Sequence, residues 1–97
     1  MFRHVVMFSW ADEATTEAKQ AALDAVAGLP GMVASIRAFS VGTDAGFVEG
    51  NFDACVVADF DDEAGYITYR DHPDHVRVVT ELLRPIAAGR AAVQYQL

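Results

Sequence analysis

The first ten positions alternate in the way of an extended segment. Phe2, His4, Val6, Phe8 and Trp10 fall on one side, and Arg3, Val5, Met7 and Ser9 on the other. Their β-branched and aromatic character predicts a strand from Phe2 to Trp10. Helical spacing then takes over. Asp12 to Thr16 offers capping side chains, Glu17-Ala18-Lys19-Gln20 are helix formers, and Ala18, Ala22, Val26 and Leu29 make one apolar face. Leu29-Pro30-Gly31 ends this helix, because proline lacks the N–H to continue it and glycine tolerates the turn.

Val33 to Val41 reads as a second strand closed by Gly42. A loop from Gly42 to Asn51 follows, and Phe52 to Phe60 is a third strand. Asp61-Asp62-Glu63 opens a short helix to about Tyr69, its acids favoured at the positive end of the helix dipole. Asp71-His72-Pro73-Asp74 opens another, since proline suits a first helical turn, and this one runs to Arg84. There Pro85 and then Gly89 break it, leaving Ala91 to Leu97 as the last strand.

The order β-α-β-β-α-β predicts one ferredoxin-like α+β sandwich over residues 1–97, with helices on one face of the sheet. The other face should then be polar, and it is not. In the third strand Ala54, Val56 and Ala58 oppose Cys55, Val57 and Asp59, so both sides of the central strands are largely apolar. A second copy is expected to cover the open face, giving a C2 homodimer whose two sheets form a dimeric α+β barrel.

Composition strengthens that expectation. The chain is 53% hydrophobic, more than a lone domain of 97 residues hides easily. A membrane is not the expected cover, because no apolar run approaches the ~18–20 residues of a span. Val5 to Phe8, after Arg3-His4, is also too short for the core of a secretion signal, and the protein is expected to be cytoplasmic. Net charge is −7, with Lys19 and six arginines scattered singly. Nothing resembles a basic stripe, so nucleic acid is not an expected partner. The lone Cys55 excludes an internal disulfide and a cysteine-built metal site, and its Ala-Cys-Val-Val-Ala setting is that of a core residue.

Chemistry-bearing residues concentrate between Tyr66 and His75. On the helix that follows, His75, Val79, Leu82 and Ile86 share one face, expected to point at the sheet. Burial and the positive end of the dipole both disfavour an imidazolium at His75, and a neutral imidazole is what a general base requires. Tyr69 is placed to donate a hydrogen bond to an anionic oxygen, and His4 faces the same space from the first strand. A buried histidine bonded to a backbone carbonyl accounts for the same spacing without catalysis. His72 and His75, three apart with Asp71 and Asp74 beside them, outline a metal pair. Pro73 shapes that turn, however, and the aspartates read as caps, so no metal ion or cofactor is expected.

Several segments carry a family resemblance: His4-Val5-Val6-Met7-Phe8, Leu29-Pro30-Gly31-Met32, Asn51-Phe52-Asp53-Ala54, Tyr69-Arg70-Asp71-His72-Pro73-Asp74-His75-Val76, Leu83-Arg84-Pro85-Ile86 and Val93-Gln94-Tyr95. End to end the chain resembles the stress-responsive A/B barrel (Dabb) family of dimeric α+β barrel proteins. The resemblance implies a homodimer whose protomers each hold a cavity between sheet and helices, with a stress-related role. The Phe, Val, Leu and Ala expected to line that cavity suit a small apolar or aromatic molecule with one polar end. The resemblance also implies an alternative. Plant polyketide cyclases of this family close a poly-β-ketone by aldol condensation without a cofactor. The residues matching His75, Tyr69 and His4 there serve as base, assisting donor and site lining. This sequence departs at Ala54, where the cyclase carries a further histidine. Some plant members hold magnesium near the dimer interface, but no carboxylate cluster here calls for it. Cofactor-free monooxygenases share the wider superfamily, and Trp10 alone does not favour them.

Overall fold

The computed structural model describes residues 1–97. Its elements are β1 (Phe2–Trp10), α1 (Thr16–Ala27), a 3₁₀ turn (Leu29–Gly31), β2 (Ile36–Thr43), β3 (Ala54–Phe60), α2 (Glu63–Asp71), α3 (Pro73–Val78), a π-helical turn (Val79–Leu83) and β4 (Ala87–Gln96). The four strands form one antiparallel sheet in the order β2-β3-β1-β4. This is the ferredoxin-like α+β arrangement that the element order predicts.

The caps explain where the helices begin. Thr15 accepts a hydrogen bond from the Ala18 N–H at the start of α1, and Asp62 accepts from the Gly65 N–H at the start of α2. His72, not an aspartate, caps α3, accepting the Asp74 N–H on Nδ1 at 3.1 Å. Asp71 ends α2 instead, pairing with Arg70. The 44–53 loop is tied by Asp44, whose carboxylate takes the Gly46 N–H and the Asn51 amide. Gly46 and Gly50 there adopt φ of +83° and +87°, a region other residues enter at a cost.

Register separates the two sheet faces. His4, Val6 and Phe8 of β1 sit opposite Ala58, Val56 and Ala54 of β3, and all six are buried beneath the helices. Leu29 and Val33 close the core on the α1 side, and Tyr69, Val78 and Leu83 close it on the other. The opposite face carries Val5, Met7, Cys55, Val57, Val93 and Tyr95, with Val93 53% and Tyr95 43% exposed. Its main polar feature is neutralised internally. Arg3 grips Asp59 through Nε–Oδ1 at 2.7 Å and Nη2–Oδ2 at 2.8 Å, which holds the Asp59 carboxyl below the usual carboxylate range.

Three boundaries differ from the sequence expectation. β2 starts at Ile36 because Val33 is used as a core plug after the 3₁₀ turn, and β3 starts at Ala54. β4 starts at Ala87 and runs through Gly89, which does not break it. A Cβ on Gly89 would lie 2.6 Å from the Ser9 Oγ, beside the register shift at Ser9/Trp10, so a larger residue there requires the Ser9 hydroxyl to turn away. The expected single helix from Asp71 to Arg84 is α3 plus a π turn. In that turn the Arg84 N–H reaches the Val79 carbonyl five residues back. The widened turn rotates the inward face by one residue, so Leu83 is buried and Leu82 is 36% exposed, against the expected stripe through Leu82. Leu83→Ala should therefore cost about 2–5 kcal/mol, while Leu82→Ala should cost less than about 1 kcal/mol. Urea denaturation of the two variants checks this, and equal losses would refute the shifted phase.

Candidate functional site

The π turn, α1 and α2 do not close completely over β1. A half-enclosed cavity of about 480 Å³ remains, floored by His4, Val6, Phe8 and Val56 and walled by Val26, Leu29, Tyr66, Tyr69, Val78, Val79 and Leu83. Its size lies in the range of small-molecule pockets. His4, Tyr69 and His75, picked out from sequence on three different elements, all line it. The rings of Tyr69 and His75 meet at 4.2 Å between centroids with a 39° tilt, and those of His4 and Tyr69 lie 6.1 Å apart. Tyr66 and Phe60 complete the aromatic group, with Tyr66 5.1 Å from His4 and Phe60 5.3 Å from Tyr69.

Hydrogen bonds assign the two histidines opposite tautomers. The Nδ1 of His75 lies 3.0 Å from the Arg70 carbonyl, which only accepts, so Nδ1 carries the proton and Nε2 keeps its lone pair. The bond joins the first turn of α3 to the end of α2 and locks the ring against Tyr69. In His4 the Gln94 amide donates to Nδ1 at 2.8 Å, which leaves the proton on Nε2. The cavity thus pairs an imidazole with an acceptor nitrogen and another with a donor nitrogen.

Burial sets the charge states. It is the main force pushing His4 down to about 4, with the positive charge of Arg90 and the neighbouring His75 adding to it. His75 is lowered chiefly by the same desolvation, partly offset by its bond to Arg70, with His72 and Arg90 opposing its charge. Burial, with Tyr66 nearby, pushes the Tyr69 hydroxyl up to about 12, so it remains a donor at neutral pH. The site therefore offers a neutral base nitrogen beside a protonated phenol.

The other sequence candidates lie elsewhere. His72 serves as a helix cap and His75 turns to the Arg70 carbonyl, so the two do not form a ligand pair, and no group of three or more His, Cys, Asp or Glu side chains converges. Trp10 packs at the edge of the core, its backbone N–H on Asp53, outside the cavity. Ala54 is buried at the end of β3, opposite Phe8, and is not part of the cavity lining.

Sequence reasoning missed four contributors: Gln94, which orients His4, and Arg70, Arg84 and Arg90, which line the cavity. The signal for Gln94 and Arg90 was their alternation on β4 with Ala92, placing both on the helix-facing side opposite His4 and Phe8. The late start assigned to that strand concealed it for Arg90.

Known structures share this fold. The family model for the Stress Responsive A/B Barrel Domain matches residues 2–97. A dimeric ferredoxin-like protein of unknown function from Thermobifida fusca is 36% identical and superposes with a TM-score of 0.90, over 99% of this chain and 90% of that one. A dimeric protein of unknown function and ferredoxin-like fold from Bacteroides fragilis is 26% identical, with a TM-score of 0.82, over 99% of this chain and 95% of that one. The hydroxynitrile lyase from Passiflora edulis, at 15% identity, has a TM-score of 0.88 over 99% of this chain and 92% of that one, a likeness of fold. Among curated proteins none matches the sequence.

Because both cavity histidines are lowered, the unfolded state binds protons that the folded state refuses. Their contribution to stability is complete above the unfolded value of 6.5 and is lost as pH falls towards about 4, the folded value of His4. Asp59 acts in the same direction, but only below the ordinary carboxylate range. Urea midpoints should therefore fall between pH 6.5 and 4.5, with a shallower fall in His4→Gln. A midpoint flat across that window, or a His4 ring signal titrating near 6.5, would contradict the assignment.

Proposed function

The chain belongs to the stress-responsive A/B barrel family, and from that premise we propose a homodimer in which each protomer's sheet–helix cavity binds a small apolar or aromatic molecule. The observation carrying this reading is the 480 Å³ cavity, apolar over most of its wall, with the Tyr69 and His75 rings in contact along its lining. Dimerisation through the open sheet face is supported by the exposed Val93 and Tyr95 and by the dimeric description of the Thermobifida and Bacteroides proteins. No helix is long and apolar enough to cross a membrane. A cytoplasmic location and a stress-related role are part of the same proposal.

Light scattering should read twice the 10.5 kDa protomer, and Val93→Asp should bring it towards one. Neutral aromatic probes such as 2-naphthol should shift the His4, Tyr69 and His75 NMR signals saturably, and Val79→Trp, which fills the cavity, should weaken that binding at least tenfold. A monomeric mass, or no saturable shift at those rings across a panel of such probes, overturns the reading.

A second reading is favoured by the free Nε2 of His75 beside the Tyr69 phenol: a cofactor-free cyclase or lyase. Nε2 would take the proton from a carbon acidified by two flanking carbonyls. The resulting carbanion would attack a second carbonyl in the same molecule, forming the C–C bond, and the new alkoxide would recover the proton from the imidazolium. Tyr69 would donate to the developing oxyanion, and His4 would orient the substrate. On this reading His75→Ala loses roughly 10²–10⁴ in turnover of a poly-β-ketone, and Tyr69→Phe loses less. Undiminished turnover in His75→Ala would remove it.

A further inference from the structure

Charge is distributed unevenly between the surface and the cavity. The chain carries 14 acidic and seven basic residues, yet the cavity is lined by Arg70, Arg84 and Arg90 and by no carboxylate at all. Half of the six arginines, separated in sequence, meet at one apolar pocket. Arg70 is already engaged, with Nε and Nη2 on the two carboxylate oxygens of Asp71 at 2.9 and 3.1 Å. Arg84 and Arg90 take part in none of the protein's ion pairs.

Their anchorage is firm. Arg90 lies on β4 directly opposite Phe8, on the helix-covered side of the sheet, and its charge is felt by both His4 and His75. Arg84 is held at the end of the π turn by its backbone bond to Val79. Arg84 and Arg90 are solvent-exposed at the cavity rim and have no acidic partner, so both guanidinium groups are available to an anionic group placed there. An arginine fork matches the two oxygens of a carboxylate, and a carboxylate bonded there would supply the counter-charge.

We infer that the cavity takes a small organic acid, an aromatic or short apolar body ending in a carboxylate that Arg84 and Arg90 hold, with the body lying between Phe8, Leu29 and Leu83. The inference rests on the proposed role of this cavity as a ligand site and names the class of molecule that it accepts. The apolar walls require the body; the arginines require the charge. In the catalytic reading, the same clamp would position an acidic substrate with its other end against Tyr69 and His75.

The test uses the full chain and matched probes: phenylalkanoic acids with side chains of two to six carbons, and their primary amides, titrated by calorimetry and by the His75 ring signal. The acid of the best-fitting pair should bind at least tenfold tighter than its amide, equivalent to about 1.4 kcal/mol. In the Arg84→Gln/Arg90→Gln double variant that ratio should fall to within twofold, and the lysine pair should restore part of it. Arg77→Gln, which removes a surface partner of Asp74, should leave the ratio as it is. Acid and amide binding equally well in the wild type would overturn the carboxylate assignment while leaving the cavity as a ligand site. A ratio unchanged in the double variant would overturn the assignment to these two arginines. Inorganic phosphate displacing the acid at equal concentration would replace the carboxylate with a phosphate group. If neither series binds at any chain length, the ligand-site reading falls with it.

Discussion

A four-stranded sheet whose central strands are apolar on both sides has to be covered twice, and this constraint organises the molecule. On one side, His4, Val6, Phe8, Val56, Ala58 and Phe60 are buried beneath α1, α2 and α3. On the other, Val5, Met7, Val57, Val93 and Tyr95 share an open face with the Arg3–Asp59 pair. That pair satisfies its own charges, so it adds little polarity to the face and nothing that would hinder burial against another apolar surface. None of the elements between Phe2 and Gln96 lies over this side, and an apolar face left open in this way fits the dimeric description of the Thermobifida and Bacteroides proteins.

The helix layer covers its own side incompletely, and the reason is local. α1 presents the small side chains Ala22 and Val26 to the sheet, while the π turn lifts the chain between Val79 and Leu83. The space left between them is bounded by the most polar part of the core, where His4 and His75 are kept neutral by burial and held in opposite tautomers by Gln94 and by the Arg70 carbonyl. A core built only for stability would place aliphatic side chains in those positions, since each buried imidazole has to be given a partner and still loses its charge.

Much of the architecture was legible in the sequence because it depends on short-range rules. The alternation in β1, the threonine and aspartate caps, and Pro73 at a first turn are decided within a few residues. Tyr69 and His75 could be associated because one closes a helix and the other opens the next, so a single turn brings them together. Leu83 was hidden because a π turn is not encoded by spacing: a period of 3.6 selects Leu82, and tertiary packing adds the extra residue that puts Leu83 inside. Arg84 and Arg90 were hidden for a different reason. Isolated arginines in an acidic chain read as solvated surface groups, and their convergence appears only when β4 is paired beside β1 and the π turn sets the end of the third helix.

The two surfaces that define the protein make opposite demands and are kept apart by the thickness of one sheet. Alternation along β1 sends Val5 and Met7 to the open face and His4, Val6 and Phe8 to the cavity, and alternation along β4 does the same with Val93 and Arg90. A residue on either strand can therefore change without its neighbour's role changing, because successive side chains stand on different faces. Backbone pairing still links the two. A shift of β4 by one residue would turn Arg90 and Gln94 away from the helix-covered face and put Val93 there, removing a cavity guanidinium and the partner of His4 in a single step. The register shifts at Ser9/Trp10, where Gly89 pairs with Ser9 and leaves room for its hydroxyl. The chemistry of the cavity thus depends on the pairing of β4 with β1, whose irregularity falls one residue beyond the Phe8–Arg90 pair that lines it.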